Sequence, residues 1–276
     1  MPRLSFTAVF LQYSQALKGI NMKIIELVKN LDALIPRELS EEWDNDGMML
    51  VTDKEREISR AVVTLDVTPD CIEYAKAQNA NLIVSHHPFI FKPLASIAED
   101  LKSRMIVDLI RSGISVISYH TRFDSVKGGM NDALAEALGI ENAVELDVMA
   151  RVGDLPDTMS PEELASYVSE CLSADVVLYN GSNTVSRLAV LGGGGKDFVF
   201  PAFHSGADAI VTGDLSHSIA LEAMNSGMTV VDAGHYGTEK IFINAFPSFL
   251  EKAGLDTDKL VKFRGSDPRV LVVKEN

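Results

Sequence analysis

Apolar residues Ile24, Ile25, Leu27, Val28, Leu31 and Leu34 recur at the spacing of one helix face, and Pro36 closes that helix. The stretch WDNDGMMLV at 43–51 reads as a turn, through Asn45 and Gly47, leading into a short strand. Apolar runs mark strands at 60–66, 81–85 and 114–120, separated by helical periods at 69–79 and 98–112. Strands alternating with helices predict an α/β layered fold with largely parallel pairing.

The pattern then recurs. SRAVV at 59–63 matches SRLAV at 186–190, and ANLIVS at 80–85 matches ADAIVT at 207–212 at the same offset. SGISVIS at 112–118 matches SGMTVVD at 226–232 at a shorter offset, because the first copy carries an extra loop around KPLASIAEDLKS. Three matches in order predict an internal duplication of one βαβαβ-type unit. The expected organisation is an N-terminal extension at 1–21, a first α/β half at 22–127, a connecting segment at 128–185 packed with the second half, and a second α/β half at 186–276.

All six histidines (His86, His87, His120, His204, His217 and His235) fall at a strand's carboxyl end or just beyond it. Open α/β sheets gather ligands at those ends, so the halves are expected to hold a site between them. His86 and His87, in IVSHHPFIF, sit where a strand enters a turn and two rings can splay toward two neighbouring ions. His235 and Glu239 are spaced i, i+4 and share a face if Gly237 opens a helix. Asp124 follows in YHTRFD, and Asp214 precedes His217 in TGDLSHS, where it either orients an imidazole or caps a helix. Imidazole and carboxylate donors without a thiolate suit Zn, Fe or Mn. His120 and His217 are the candidate general acid or base beside such ions; His204 sits in no matched motif and is read as structural. The run LGGGGKD at 191–197 lacks P-loop and dinucleotide spacing, so it is read as a tight turn where backbone approaches the site closely, with a cradle for a substrate phosphate as the alternative.

Composition narrows the class. Of 276 residues, 46% are hydrophobic and 23% charged, which is a globular balance. Lys and Arg number 25 against 39 Asp and Glu, a net charge of −14 that disfavours nucleic acid and anionic membrane surfaces. A small anionic substrate remains compatible, because bound cations invert the local field. Two cysteines, Cys71 and Cys171, form no CxxC pair, which points to a reducing, cytoplasmic setting. No secretory leader and no membrane span are expected.

The ordered pieces EEWDNDG, SHHPFIFKPL, YHTRFD with GGMNDALAEALG, GADAIVTGDLSHS and VDAGHYGTEK resemble the signatures of the GTP cyclohydrolase I type 2 homologue family, the Nif-three-like dinuclear-metal hexameric proteins. The resemblance covers residues 22–276. It implies two similar, intertwined three-layer α/β/α domains, a toroidal homohexamer, and two divalent ions per chain on His86, His87, Asp124, His235 and Glu239. The activity it implies is metal-dependent hydrolysis of the GTP imidazole ring. A dinuclear phosphoester hydrolase and a non-catalytic, metal-handling hexameric scaffold stand as alternatives. Three positions depart from the family pattern: Arg122 where Asn is usual, Ser218 where a second His often follows His217, and Asp46 in DNDG where Val is common. Arg122 offers a guanidinium for a phosphate or carboxylate.

Overall fold

The computed structural model describes residues 21–269; the extension read at 1–21 lies, but for its last residue, outside them. In chain order the strands are β1 (Gly47–Leu50), β2 (Ala61–Thr64), β3 (Leu82–Ser85), β4 (Ser115–Ser118), β5 (Glu141–Leu146) and β6 (Ala150–Met159). There follow β7 (Val177–Tyr179), β8 (Val185–Gly194), β9 (Ala209–Gly213), β10 (Thr229–Asp232) and β11 (Leu260–Lys262). Two compact units result. Among the described residues, one comprises 21–123 together with 242–265; the other comprises 124–241 and 266–269.

The first unit is built on a sheet of order β1-β4-β3-β2-β11, parallel except for β1 against β4. Its central strands read AVVT, LIVS and SVIS and are buried along their whole length. Uninterrupted apolar strands need cover on both faces. One face is covered by the helices Pro69–Ala77 and Leu101–Ser112, through Cys71, Ile72, Ala75, Met105, Ile106 and Leu109. Thr68 starts the former by accepting a hydrogen bond from the Cys71 backbone N–H (3.2 Å), with Pro69 in the first turn. Asp100 caps the latter, and Gly113, at φ 63°, ends it in a left-handed turn that feeds β4. Within the same unit Phe123 meets Phe242, Phe246 and Phe249 edge-to-face, Phe242 stacks on Phe246, and Tyr119 packs on Phe246. Residues 242–252 belong here because Phe242, Phe246 and Phe249 are their apolar positions.

The second unit has a sheet of order β5-β6-β8-β9-β10-β7 in which β8, β9 and β10 run parallel. The helices Met130–Ala137 and Pro161–Leu172 supply Leu134, Ala135, Leu164 and Val168 to one core, and Val199, Ala202 and Ala223 line another. Ser160 and Glu163 form a reciprocal capping box at the start of Pro161–Leu172. Cys71 and Cys171 lie in separate helices as free thiols.

The repeat read from sequence is reproduced strand by strand. Ala61 faces Leu82 across β2 and β3, and Leu188 faces Ala209 across β8 and β9. Leu82 pairs with Ser115, and Ala209 with Thr229, so both copies keep the same register. Even the polar clamp at the strand starts recurs. Asn81 Oδ1 accepts from the Ser59 N–H at 2.9 Å, and Asp208 Oδ2 accepts from the Ser186 N–H at 2.9 Å. Register is set wherever strands are buried on both faces, since a one-residue slip would misplace every side chain. The fold is therefore a duplicated α/β/α arrangement whose chain segments interleave. Among the described residues no helix is long and apolar enough to cross a membrane.

Candidate metal centre

In the first unit, β3 delivers His86 and His87 directly after Ser85. The Ser85 hydroxyl donates to the His87 carbonyl at 2.8 Å and lies 2.8 Å from Ser118 Oγ, which closes the turn. β4 ends at Ser118, and the chain passes through Tyr119 to His120. The three imidazoles converge: ring centroids lie 5.1 Å apart for His86–His87 and for His86–His120, and 5.7 Å for His87–His120. One ring nitrogen from each comes within 4.8 Å of the others.

What holds these rings is a set of oxygen acceptors. His86 Nδ1 meets the Tyr119 carbonyl at 3.0 Å, His87 Nδ1 meets Asp66 Oδ1 at 2.8 Å, and His120 Nδ1 meets Asp44 Oδ1 at 2.8 Å. Carboxylate and carbonyl oxygens only accept, so Nδ1 carries the proton and the neutral ring presents Nε2 as its basic atom. That is the arrangement of metal-ligating histidines, whose second nitrogen is held by an outer oxygen. Burial works against the Asp44 charge, but hydrogen bonds from His120 and Thr121 outweigh it and hold its pKa down at about 2. Asp44 thus stays ionised throughout the neutral range.

In the second unit, Gly234 (φ 73°) turns the chain after β10 into the helix His235–Glu239. The predicted i, i+4 pair forms, with His235 Nε2 3.0 Å from Glu239 Oε2. Two donors each ~2.1 Å from one ion stand roughly 3.0–3.4 Å apart, so this spacing fits a shared coordination sphere. Asp214 Oδ2 accepts from His235 Nδ1 at 2.8 Å, which settles its role as an imidazole orienter. Capping is excluded, because Ser216 is the N-cap residue of the helix His217–Asn225. Asp124 is buried in the short helix Thr121–Ser125, where its backbone carbonyl accepts from Asn131 Nδ2 at 3.2 Å. Asn131 in turn accepts from the Gly192 N–H at 2.8 Å.

The glycine run is explained by this carboxylate. A Cβ added at Gly193, which sits at φ +70°, would collide with Glu239 Oε1 and come within 3.2 Å of His235 Nε2. The Gly193 N–H donates to Thr238 Oγ1 at 2.9 Å, so these amides brace the site and do not form an open phosphate cradle. Gly193→Ala is expected to cost at least ~1 kcal/mol from the left-handed backbone alone. It is also expected to displace Glu239, so the variant should show both a lower melting temperature and a lower metal content.

The remaining sequence candidates are placed differently. His217 opens its helix and is exposed, as is His204 at the end of Val199–His204. Arg122 is no anion clamp, because it is fully buried. Its Nε donates to Asp46 Oδ2 at 2.8 Å, and its Nη1 donates to Asp32 Oδ1 at 2.7 Å and to the Ile35 carbonyl at 3.0 Å. Its guanidinium carbon lies 4.2 Å above the Tyr119 ring. Two departures from the family pattern, Arg122 and Asp46, are therefore one ion pair. Asp44 and Asp66 were missed as site residues. Asp66 carried the same signal as the histidines, a polar residue just past a strand's carboxyl end, whereas Asp44 lies in the turn before β1 and carried none.

The family model for Duf34/NIF3 (NGG1p interacting factor 3) matches residues 22–267. The chain belongs to the Duf34/NIF3 family. It is 32% identical over 259 residues to the "GTP cyclohydrolase 1 type 2 homolog" of Clostridium perfringens, covering 90% of this chain and 98% of that one. It is 30% identical to "NIF3-like protein 1" of Drosophila melanogaster, covering 84% and 82% of the two chains. Among solved structures, Staphylococcus aureus protein SA1388 superposes with a TM-score of 0.85 at 25% identity, over 92% of this chain and 100% of that one. A Bacillus cereus protein related to NIF3 has a TM-score of 0.84 at 22% identity over 92% and 100%, a likeness of fold. Within this Duf34/NIF3 chain, the clustered imidazole and carboxylate side chains are of a kind that can hold a metal ion.

Proposed function

We propose that this Duf34/NIF3 protein is a divalent-metal-dependent hydrolase with a dinuclear centre. Its ligands are His86, His87, Asp124, His235 and Glu239, and the ions are Zn, Fe or Mn. One observation carries the reading. His86, His87, His120 and His235 each have Nδ1 against a carboxylate or carbonyl oxygen, which turns Nε2 into the donor atom. A structural histidine needs no such shared orientation.

Bound divalent ions would supply a water of lowered pKa and polarise the substrate's acceptor oxygen. The chain's own part is to hold the donors rigid and move a proton. His120 stands beside His86 and His87 with its Nδ1 anchored on an ionised Asp44, which suits a proton-moving role at Nε2. His217 is the second candidate for that role, and its exposure makes it the weaker one. GTP is the leading substrate because of the name carried by the bacterial relatives, and a toroidal homohexamer is the assembly that the family resemblance implies.

The test is a turnover screen of metal-reconstituted protein against GTP and phosphoester substrates, with His120→Ala and His217→Ala alongside. GTP turnover that falls about 100-fold or more in His120→Ala and little in His217→Ala is the expected result. Turnover persisting in a metal-stripped His87→Ala/Glu239→Ala protein would refute the mechanism. Two bound ions without turnover of any substrate would favour the scaffold reading.

A further inference from the structure

We propose that Trp43 and Phe91 form a stacking platform for a planar heteroaromatic ring of the substrate, beside His120. The inference rests on the hydrolase reading and names the substrate class of the same site. Trp43 is 60% exposed and Phe91 42% exposed, although both are large apolar rings. They are not scattered surface residues. Their centroids lie 6.1 Å apart at 66°, Trp43 lies 6.1 Å from His120 at 76°, and Phe91 lies 6.4 Å from His120 at 87°.

The ring cluster therefore runs without a break from buried His86, through His120, to two rings open to solvent. The loops that carry them are tied down. Next to Trp43, Asp44 accepts from His120 Nδ1 at 2.8 Å, from the Thr121 N–H at 3.1 Å and from the Thr121 hydroxyl at 2.6 Å. Asn45 Nδ2 donates to the Ile90 carbonyl and so ties the Trp43 loop to the Phe91 loop. Rigid aromatic faces bind flat rings at little entropic cost, and any heteroaromatic base offers a π-face to them. The chain's net charge of −14 disfavours a nucleic-acid polymer, which leaves a nucleoside-sized ligand as the occupant.

Trp43 is the chain's one tryptophan, so its emission reports on the platform alone. Full-length, metal-loaded protein would be titrated with GTP, guanosine and inorganic triphosphate, and affinities checked by calorimetry. GTP and guanosine should quench Trp43, and triphosphate should not. Trp43→Leu should bind guanosine roughly ten- to a hundredfold more weakly, with unchanged triphosphate affinity and metal content. The proposal is overturned if triphosphate quenches as strongly as GTP, or if Trp43→Leu keeps its guanosine affinity. It is equally overturned if Trp43 in the free protein is shielded from acrylamide, because a second copy of the chain then covers it. Ring-dependent quenching in a protein that turns over neither GTP nor any phosphoester would leave the platform standing and remove the hydrolase reading.

Discussion

Purified Glu239→Ala and His87→Ala proteins are expected to lose bound metal while remaining folded. Glu239 is buried beside His235 with its carboxylate 3.0 Å from the ring nitrogen, and His87 is the imidazole anchored by Asp66. Losing an outer partner of a ligating imidazole typically costs roughly 10–100-fold in metal affinity, and losing the ligand itself should cost more. Asp66→Asn and Asp214→Asn should therefore show the smaller loss and the two alanine variants the larger. Elemental analysis after dialysis reads the effect, and circular dichroism establishes that the fold persists. In wild-type protein loaded with manganese, two equivalents with an exchange-coupled electron paramagnetic resonance signal are the expected result. Metal content unchanged in Glu239→Ala, or two uncoupled ions in wild type, would sink the dinuclear assignment.

Arg122→Asn should be among the most destabilising single substitutions in the chain. The guanidinium is fully buried and satisfies Asp46, Asp32 and the Ile35 carbonyl. Removing one partner of a buried ion pair commonly costs 3–5 kcal/mol, because the other charge is left without compensation. About 3 kcal/mol is expected by urea unfolding at neutral pH. Burial already pushes the Asp46 carboxyl above its ordinary value, Arg122 pulls it back, and nearby Asp44 pushes it up. Without Arg122 the folded-state pKa rises further. The folded state then binds a proton that the unfolded state releases, so the deficit grows as pH rises through that window and shrinks on acidification. The double variant Asp46→Val/Arg122→Asn restores the residues usual in the family and should recover most of the loss, a coupling above about 1 kcal/mol. Additive effects, or a deficit independent of pH, would show that the two positions do not act as a pair.

The site was unevenly legible. The spacing of His235 and Glu239 foretold their contact, because four residues along a helix is a local geometry. The glycine run was legible as a close backbone approach, since nothing but glycine tolerates φ +70° against a carboxylate. Arg122 does take carboxylates, but those of Asp46 and Asp32 inside the fold, because position in the chain beside Asp124 says nothing about which way a guanidinium turns. Its partner Asp46 lies 76 residues away, the same separation that divides Asp44 from His120. No periodicity or motif spacing encodes such a pairing.

By itself the sequence determined the strands and helices of the repeated unit and the duplication, but not β5, β6 and β7 of the connecting segment, nor β11. Apolar periodicity is a local property, so the matched segments form matching strands, and the structure pairs them alike, Ala61 against Leu82 and Leu188 against Ala209. The sequence also placed five of the six histidines just beyond strand ends, His204 instead closing the helix Val199–His204. Tertiary structure alone decided which oxygen holds each Nδ1, and that Arg122 closes on Asp46. It also decided that residues 242–265 return to the first unit, and that Trp43 stands exposed beside His120. These are contacts between residues far apart in the chain, and they arise only when packing brings separate segments within hydrogen-bonding or van der Waals reach.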